Sequence, residues 1–294
     1  MTTGKPSILS LALTSGKKIF FLSDFHLGAP NYGESRERER KVIAWMEAHR
    51  HEMEALFLLG DIFDYWFEYR HVVQKGFVRL LAKIAELTDA GIPVHFFGGN
   101  HDTWNKTYFQ QELGMQVYRG TMELQVGDAR FLIGHGDGLG ANERGYKLMK
   151  AVFEAKASRV LYAALHPYWG SLMAKSMSRH SRKTGVASEA EQHRRREQWK
   201  NRNLLAFMQE TLEQKHIDFF IFAHRHWPVL AEIDRQKPEV RVLSENQTAL
   251  EHGKKEQERK SFYLNTGDWI RYCTFASYDG NTLKLEGEAI QNSF

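Results

Sequence analysis

The chain has 294 residues, 42% of them apolar, and a formal net charge of +4. That length accommodates one large α/β domain, with or without an insertion, around an ordinary packed core. Its single cysteine, Cys273, excludes an intrachain disulfide and any Cys-rich metal site, which suits a reducing cytosol, and no apolar run reaches the roughly 18 residues of a membrane span.

The first 15 residues hold one short apolar run, Ile8 to Leu13, too short and poorly flanked for a signal peptide. It is read as a tail or a first strand. Lys18 to Ser23 reads as a central strand ending at Asp24-Phe25-His26. Glu34 to Arg50 places Val42, Ile43, Trp45 and Met46 at helical spacing. Leu56 to Leu59 is a buried strand that stops at Gly60-Asp61, where glycine permits a sharp turn. Phe77 to Ala90 is a second helix, closed by Gly91 and Pro93. Val94 to Phe97 is a strand, followed by the loop Gly98-Gly99-Asn100-His101-Asp102.

From Met115 to Ile133 the pattern alternates, with Gly127-Asp128 as a hairpin turn whose second strand delivers His135. Ile217 to Phe222 is a buried strand delivering His224 and His226. Pro228 to Val242 and Phe262 to Ala289 are strand-rich, and polar Asn246 to Lys260 is read as a mobile loop. Strands alternating with helices, then mostly strands, indicate an α/β (α+β) fold: a two-sheet sandwich flanked by helices.

The segment from Leu139 to Asn203 departs from this pattern. It is helical by composition and carries fourteen Lys/Arg against five Asp/Glu, a balance of +9 that leaves the rest of the chain near −5. Residues 1–138 and 204–294 are therefore assigned to the core and 139–203 to a basic, apolar helical insertion. Tyr168, Trp169, Leu172 and Met173 would either line an apolar pocket or, as helical spacing favours, form a core between insert helices.

Five strand ends carry metal-ligand residue types: Asp24-x-His26, Gly60-Asp61, Asn100-His101-Asp102, His135 and His224-x-His226. On an extended segment, ligands at i and i+2 point the same way. Carboxylate, imidazole and amide oxygen donors suit Mn²⁺, Fe or Zn²⁺. A carboxylate such as Asp61 can bridge two cations about 3.5–4 Å apart, which would clamp a phosphate for in-line attack. His49, His51 and His71 lie on charged stretches and stay outside this set.

The order Asp-x-His, Gly-Asp, Gly-Asn-His-Asp, Gly-His, His-x-His resembles that of the calcineurin-like metallophosphoesterases, with Ala223 where the family usually has glycine. The resemblance implies two divalent ions, Mn²⁺ foremost, with Fe or Zn²⁺ as alternatives. Asp24, His26, Asp61 and His226 would bind one, and Asp61, Asn100, His135 and His224 the other. It implies that a metal-bridging hydroxide attacks in line, with His101 as acid or charge stabiliser oriented by Asp102.

Within that family the chain is most similar to the UDP-2,3-diacylglucosamine diphosphatases of lipid A synthesis. The aromatic run after Asp61, His135-Gly-Asp-Gly-Leu139, Gly145-Tyr146, the insert and His224-Arg-His-Trp-Pro228 carry this likeness. It implies hydrolysis of a lipid-linked nucleotide sugar to UMP and 2,3-diacylglucosamine 1-phosphate. It also implies an insert acting as a lid over the acyl chains, and a cytoplasmic protein in peripheral contact with the inner membrane. Glu143, Arg179, Arg182 and Lys183 are the candidate substrate-binding residues.

The best-known diphosphatases of this type carry Arg where this chain has His101. A phosphate leaving group needs mainly charge stabilisation, whereas an alkoxide gains from a general acid. His101 therefore keeps open another phosphodiester or phosphomonoester, in nucleotides or nucleic acid. Nucleic acid is disfavoured, because the insert is apolar and aromatic as well as basic and no known nucleic-acid module is present. A non-catalytic scaffold is disfavoured because every expected ligand position is filled.

Overall fold

The computed structural model describes residues 8–139, 148, 150–153, 155–173, 202–233, 240–242, 248–252 and 260–287. Their strands form two seven-stranded sheets packed face to face. The first runs β11-β14-β13-β2-β3-β4-β5. Here β2 is Lys18–Leu22, β3 Met53–Leu58, β4 Val94–Phe97, β5 Gln116–Tyr118, β11 Ala249–Glu251, β13 Thr274–Tyr278 and β14 Thr282–Gly287. The second runs β1-β6-β7-β8-β12-β9-β10. Its strands are β1 Leu9–Leu11, β6 Met122–Val126, β7 Ala129–Ile133, β8 Phe219–Phe222, β9 Pro228–Ile233, β10 Val240–Val242 and β12 Ser261–Thr266.

Phe21, Phe57, Phe131, Phe219 and Tyr278 fill the space between the sheets. Phe21 stacks on Phe57 at 5.1 Å and Phe131 meets Tyr278 edge-on at 5.0 Å. Alternate residues of the same strands, Phe20, Leu22, Leu56 and Leu58, face outward under helices α1 (Tyr32–His49) and α2 (Val78–Asp89). Strands buried on both faces read as continuous apolar runs, as these do. On the far face Leu204, Leu205 and Met208, from a helix spanning Arg202–Gln214, pack over Phe220 and Phe222. That helix begins at the expected edge of the insertion.

Each sheet contributes a parallel block. Strands β2, β3 and β4 run parallel in one, and β7, β8 and β12 in the other. All six therefore send their carboxyl ends to one edge of the sandwich, where open α/β sheets bind ligands. Two features of the sequence reading need correction. Residues 246–260 are not all loop, since β11 and His252, whose Nε2 lies 3.3 Å from the Asp218 carboxylate, fall within them. Tyr168, Trp169, Leu172 and Met173 are not core: they are 63, 62, 47 and 43% exposed.

Candidate metal centre

The β2, β3 and β4 ends bring Asp24, Asp61 and Asn100 side by side, and the β7 and β8 ends bring His135, His224 and His226 opposite them. Main-chain hydrogen bonds knit the loops: Asp24 N–H donates to Gly60 O at 3.1 Å and His26 N–H to Asp61 O at 2.9 Å. Ala223 N–H donates to His135 O at 2.9 Å. Gly60 (φ +92°) is required here, because a Cβ would sit 2.7 Å from His135 Nδ1 and 2.8 Å from Gly99 Cα.

The extended geometry expected of Asp24-x-His26 and His224-x-His226 is absent. Asp24, His26, Asp61, His224 and His226 all occupy the left-handed region, with φ of +53, +42, +52, +68 and +57°. Non-glycine residues rarely adopt it, and strain of this kind gathers where a site demands it. Alternate left-handed residues turn both side chains of each pair inward.

Among the described residues, three groupings of side chains have ligand atoms all within 4.8 Å of one another: Asp24, His26 and His226; His26, Asp61 and His101; and Asp61, His135 and His224. Asp61 Oδ2 stands between the first and last, 3.5 Å from His26 Nε2 and 3.4 Å from His135 Nε2. Asn100 Oδ1 lies 3.2 Å from His135 Nε2. Asp24 Oδ1 and His26 Nε2 are buried and have no hydrogen-bond partner. Leaving such groups unpaired is costly, and a cation at this spot would satisfy both. The donor set therefore fits divalent metal.

The supporting bonds orient each ligand. Asp24 Oδ2 accepts from Ser23 Oγ at 2.5 Å and from His224 N–H at 3.2 Å, and Ser23 Oγ meets Thr266 Oγ1 at 2.7 Å. His135 Nδ1–H donates to Leu59 O at 2.8 Å, which leaves Nε2 as the nitrogen that would bind a cation. Asp61 Oδ1 accepts from His101 N–H at 3.0 Å.

Charge follows from this crowding. Burial disfavours a charged His26, but Asp24, Asp64 and Asp61 beside it prevail and raise it to about 10. Burial likewise opposes charge on His135, and Asp61 raises it to about 10. Burial and the nearby His135 push His224 down to about 4. Against the cost of burial, the imidazoles of His135, His101 and His26 hold the Asp61 carboxyl well below its usual range.

Asp102 does not orient His101. Its carboxylate accepts from the N–H groups of Ile62 at 2.8 Å, Phe63 at 3.3 Å and Gly99 at 2.8 Å, so it ties two ligand loops together. Burial and the charge of Asp61 push it up to about 7, against the Gly99 and Phe63 bonds and the charge of His135. His101 is held by Asp64 instead, with Nδ1 2.9 Å from the Asp64 main-chain oxygen.

Two other residues escaped the sequence reading. Asp64 Oδ1 lies 3.7 Å from His26 Nδ1, and Asp268 Oδ2 lies 3.2 Å from His226 Nδ1. Asp268 had a signal: Gly267-Asp268 follows β12 as Gly60-Asp61 follows β3. Glu143, Arg179, Arg182, Lys183 and Tyr146 lie outside the described residues.

Comparison with known proteins agrees with this geometry. The model of the calcineurin-like phosphoesterase family matches residues 17–228. A UDP-2,3-diacylglucosamine hydrolase of Porphyromonas gingivalis is 37% identical over 277 residues, covering 92% of this chain and 97% of that protein. Proteins of the same name are 29% identical in Nitrosococcus oceani, covering 55% of this chain and 63% of that one, and 25% identical in Escherichia coli, covering 76% and 88%. The chain belongs to the calcineurin-like phosphoesterases and is a metal-dependent hydrolase.

Proposed function

We propose that the chain hydrolyses the pyrophosphate bond of UDP-2,3-diacylglucosamine, releasing UMP and 2,3-diacylglucosamine 1-phosphate. The observation that carries the chemistry is the convergence of ligand side chains around Asp61 Oδ2, with Asp24 Oδ1 and His26 Nε2 left unpaired. The substrate rests on the relative from Porphyromonas gingivalis, whose name states that activity and which aligns over nearly its whole length.

In this reading Asp24, His26, Asp61 and His226 hold one divalent cation, and Asp61, Asn100, His135 and His224 the second. Mn²⁺ suits these oxygen and imidazole donors, as do Fe and Zn²⁺. Bound cations supply Lewis-acid charge to phosphate oxygens and acidify water for in-line attack. Asp61 sets the spacing of the two sites. His101, anchored through Nδ1, keeps Nε2 for an oxygen of the substrate, where an imidazolium stabilises developing charge or gives up its proton.

The insert supports a lipid substrate. Leu161, Leu165, Tyr168 and Trp169 are exposed by 71, 41, 63 and 62%. Acyl chains or the inner-membrane surface at its cytoplasmic side would cover such a patch. No helix among the described residues is long and apolar enough to cross a membrane.

Phosphorus NMR of the Mn²⁺-loaded protein with UDP-2,3-diacylglucosamine tests the reading, and UMP with the diacyl sugar phosphate is the expected product pair. His101 favours a second reading, a phosphodiester with an alkoxide leaving group. Cleavage of bis-p-nitrophenyl phosphate without turnover of the nucleotide sugar would select it.

A further inference from the structure

Two candidate ligand imidazoles have a second nitrogen held by a hydrogen bond, and the partners differ. His135 uses the neutral carbonyl of Leu59, whereas His226 Nδ1 faces the carboxylate of Asp268 at 3.2 Å. Asp268 is 3% exposed. Its other oxygen, Oδ1, accepts from the N–H groups of Ile270 at 3.1 Å, Arg271 at 2.7 Å and Tyr272 at 3.3 Å. With Oδ1 occupied by the turn, Oδ2 is committed to His226.

The same turn reaches a second ligand. Trp269 N–H donates to the main-chain oxygen of Asp24 at 3.3 Å. His226 Nε2, the nitrogen left over, lies 3.5 Å from Asp24 Oδ1, the unpaired oxygen. The rings of His26 and His226 stack at 4.9 Å. Residues 268 and 269 thus bond to two members of the Asp24–His26–Asp61–His226 set. The other set has its own supports: Leu59 for His135, and Asp102 for the Gly99 loop that precedes Asn100.

We infer that Asp268 is a positioning residue that fixes His226 with its proton on Nδ1, and so sets the affinity of the Asp24–His26–Asp61–His226 site while leaving the other site alone. The inference rests on the ligand sets proposed above. A carboxylate can only accept here, so a ring proton sits on Nδ1, and Nε2, 3.5 Å from Asp24 Oδ1, is the nitrogen that would take a cation. Partners of this kind are worth 10–100-fold in metal affinity.

Asp268→Asn separates this role from that of a turn cap. Asparagine keeps one oxygen for the three N–H groups but turns an NH₂ toward His226. Nδ1 must then accept, the ring proton moves to Nε2, and Nε2 no longer has a lone pair for a cation. Metal-free full-length protein would be titrated with Mn²⁺ by calorimetry, with electron paramagnetic resonance reporting the coupled pair.

Wild type is expected to bind two ions. Asp268→Asn is expected to keep one site and weaken the other roughly 10–100-fold, so that the coupled signal needs correspondingly more Mn²⁺. Two sites of wild-type affinity in the variant would reduce Asp268 to a turn cap and overturn the inference while sparing the ligand sets. Wild type binding fewer than two ions would overturn both. A second readout covers a variant that does not fold: ¹⁵N-edited NMR of the histidine rings in wild type. A proton on His226 Nδ1 is expected, and a neutral ring protonated on Nε2 alone would overturn the inference.

Discussion

The imidazole of His101 is anchored by the main-chain oxygen of Asp64, with Nδ1 2.9 Å away, and both residues lie in loops that follow ligand-bearing strands. This bond, with the Asp64 carboxylate 4.0 Å from the same nitrogen, occupies Nδ1, so Nε2 stays available to substrate. His101→Ala should lower turnover by about 10²–10⁴-fold, the usual worth of a positioned acid, with metal content unchanged. Metal analysis alongside steady-state kinetics checks this. Loss of metal in the variant would make His101 a ligand, as its place beside His26 and Asp61 also permits.

Asp102→Ala should behave differently. Its carboxylate satisfies the N–H groups of Ile62, Phe63 and Gly99 in a buried junction. Removing it strands three donors, each costing about 1–3 kcal/mol. Thermal unfolding should move down strongly, and activity should fall with the folded fraction rather than through the pH profile of a lost acid.

Asp61→Asn tests the bridging position. Asp61 Oδ2 stands 3.5 Å from His26 Nε2 and 3.4 Å from His135 Nε2, so its charge serves both ligand sets. The variant should bind Mn²⁺ weakly at both sites and turn over poorly, with the fold intact by circular dichroism. A variant that keeps two tight ions would remove Asp61 from its shared role.

The ligand types and their order were legible because each follows a short apolar strand, and a strand end announces itself by Gly-Asp or Gly-Asn-His. The left-handed backbone at Asp24, His26, Asp61, His224 and His226 was not legible, since nothing in residue identity forces φ positive for aspartate or histidine. Asp102 was misread because adjacency in sequence suggested adjacency of side chains. Its carboxylate instead turns back to N–H groups about forty residues earlier. The exposed face of the insert was misread because apolar helical spacing says that a face is covered, not by what.

Metal-free protein should lose stability as pH rises. Asp24, Asp61 and Asp64 hold protons on His26 and His135, which are both raised to about 10 against a usual 6.5. A raised base adds stability that is fully present below its unfolded value and is lost as pH climbs through its folded value. His224, lowered to about 4, titrates below this window, and Asp102, raised to about 7, titrates at its lower edge with the same sign, losing stability as pH rises. The melting temperature of metal-free protein should therefore fall between pH 7 and pH 10. Mn²⁺ takes the place of the protons on these rings, so the stabilisation by metal should widen over the same range. A metal-free melting temperature that is flat or rising from pH 7 to pH 10 would contradict the charge state assigned to the two rings.

Among the described residues the insert meets the core at Lys150, 2.6 Å from the Asp137 carboxylate, at Phe153, whose main-chain oxygen accepts from Trp104 Nε1–H at 3.1 Å, and at the aromatic anchor Tyr162. Helix α3 (Lys156–Ala164) buries only Tyr162, while Val160 and Leu161 beside it are 61 and 71% exposed. The Tyr162 hydroxyl lies 2.9 Å from that of Tyr65 and donates to Gly170 O at 2.6 Å. Its ring packs on Phe67 at 4.6 Å and Trp104 at 4.7 Å. Tyr65 and Phe67 belong to the loop after Asp61, and Trp104 to the loop after His101, so the anchor stands on the elements that present the site. Tyr162→Ala should release the helix without reaching the ligands. The KM for the diacyl nucleotide sugar should rise by about tenfold or more, in line with the few kcal/mol of aromatic burial removed. Turnover of bis-p-nitrophenyl phosphate, too small to touch the insert, should stay near wild type. Equal losses on both substrates would mean that the anchor holds the metal loops themselves, and that the insert is part of the site's scaffold rather than a cover for lipid.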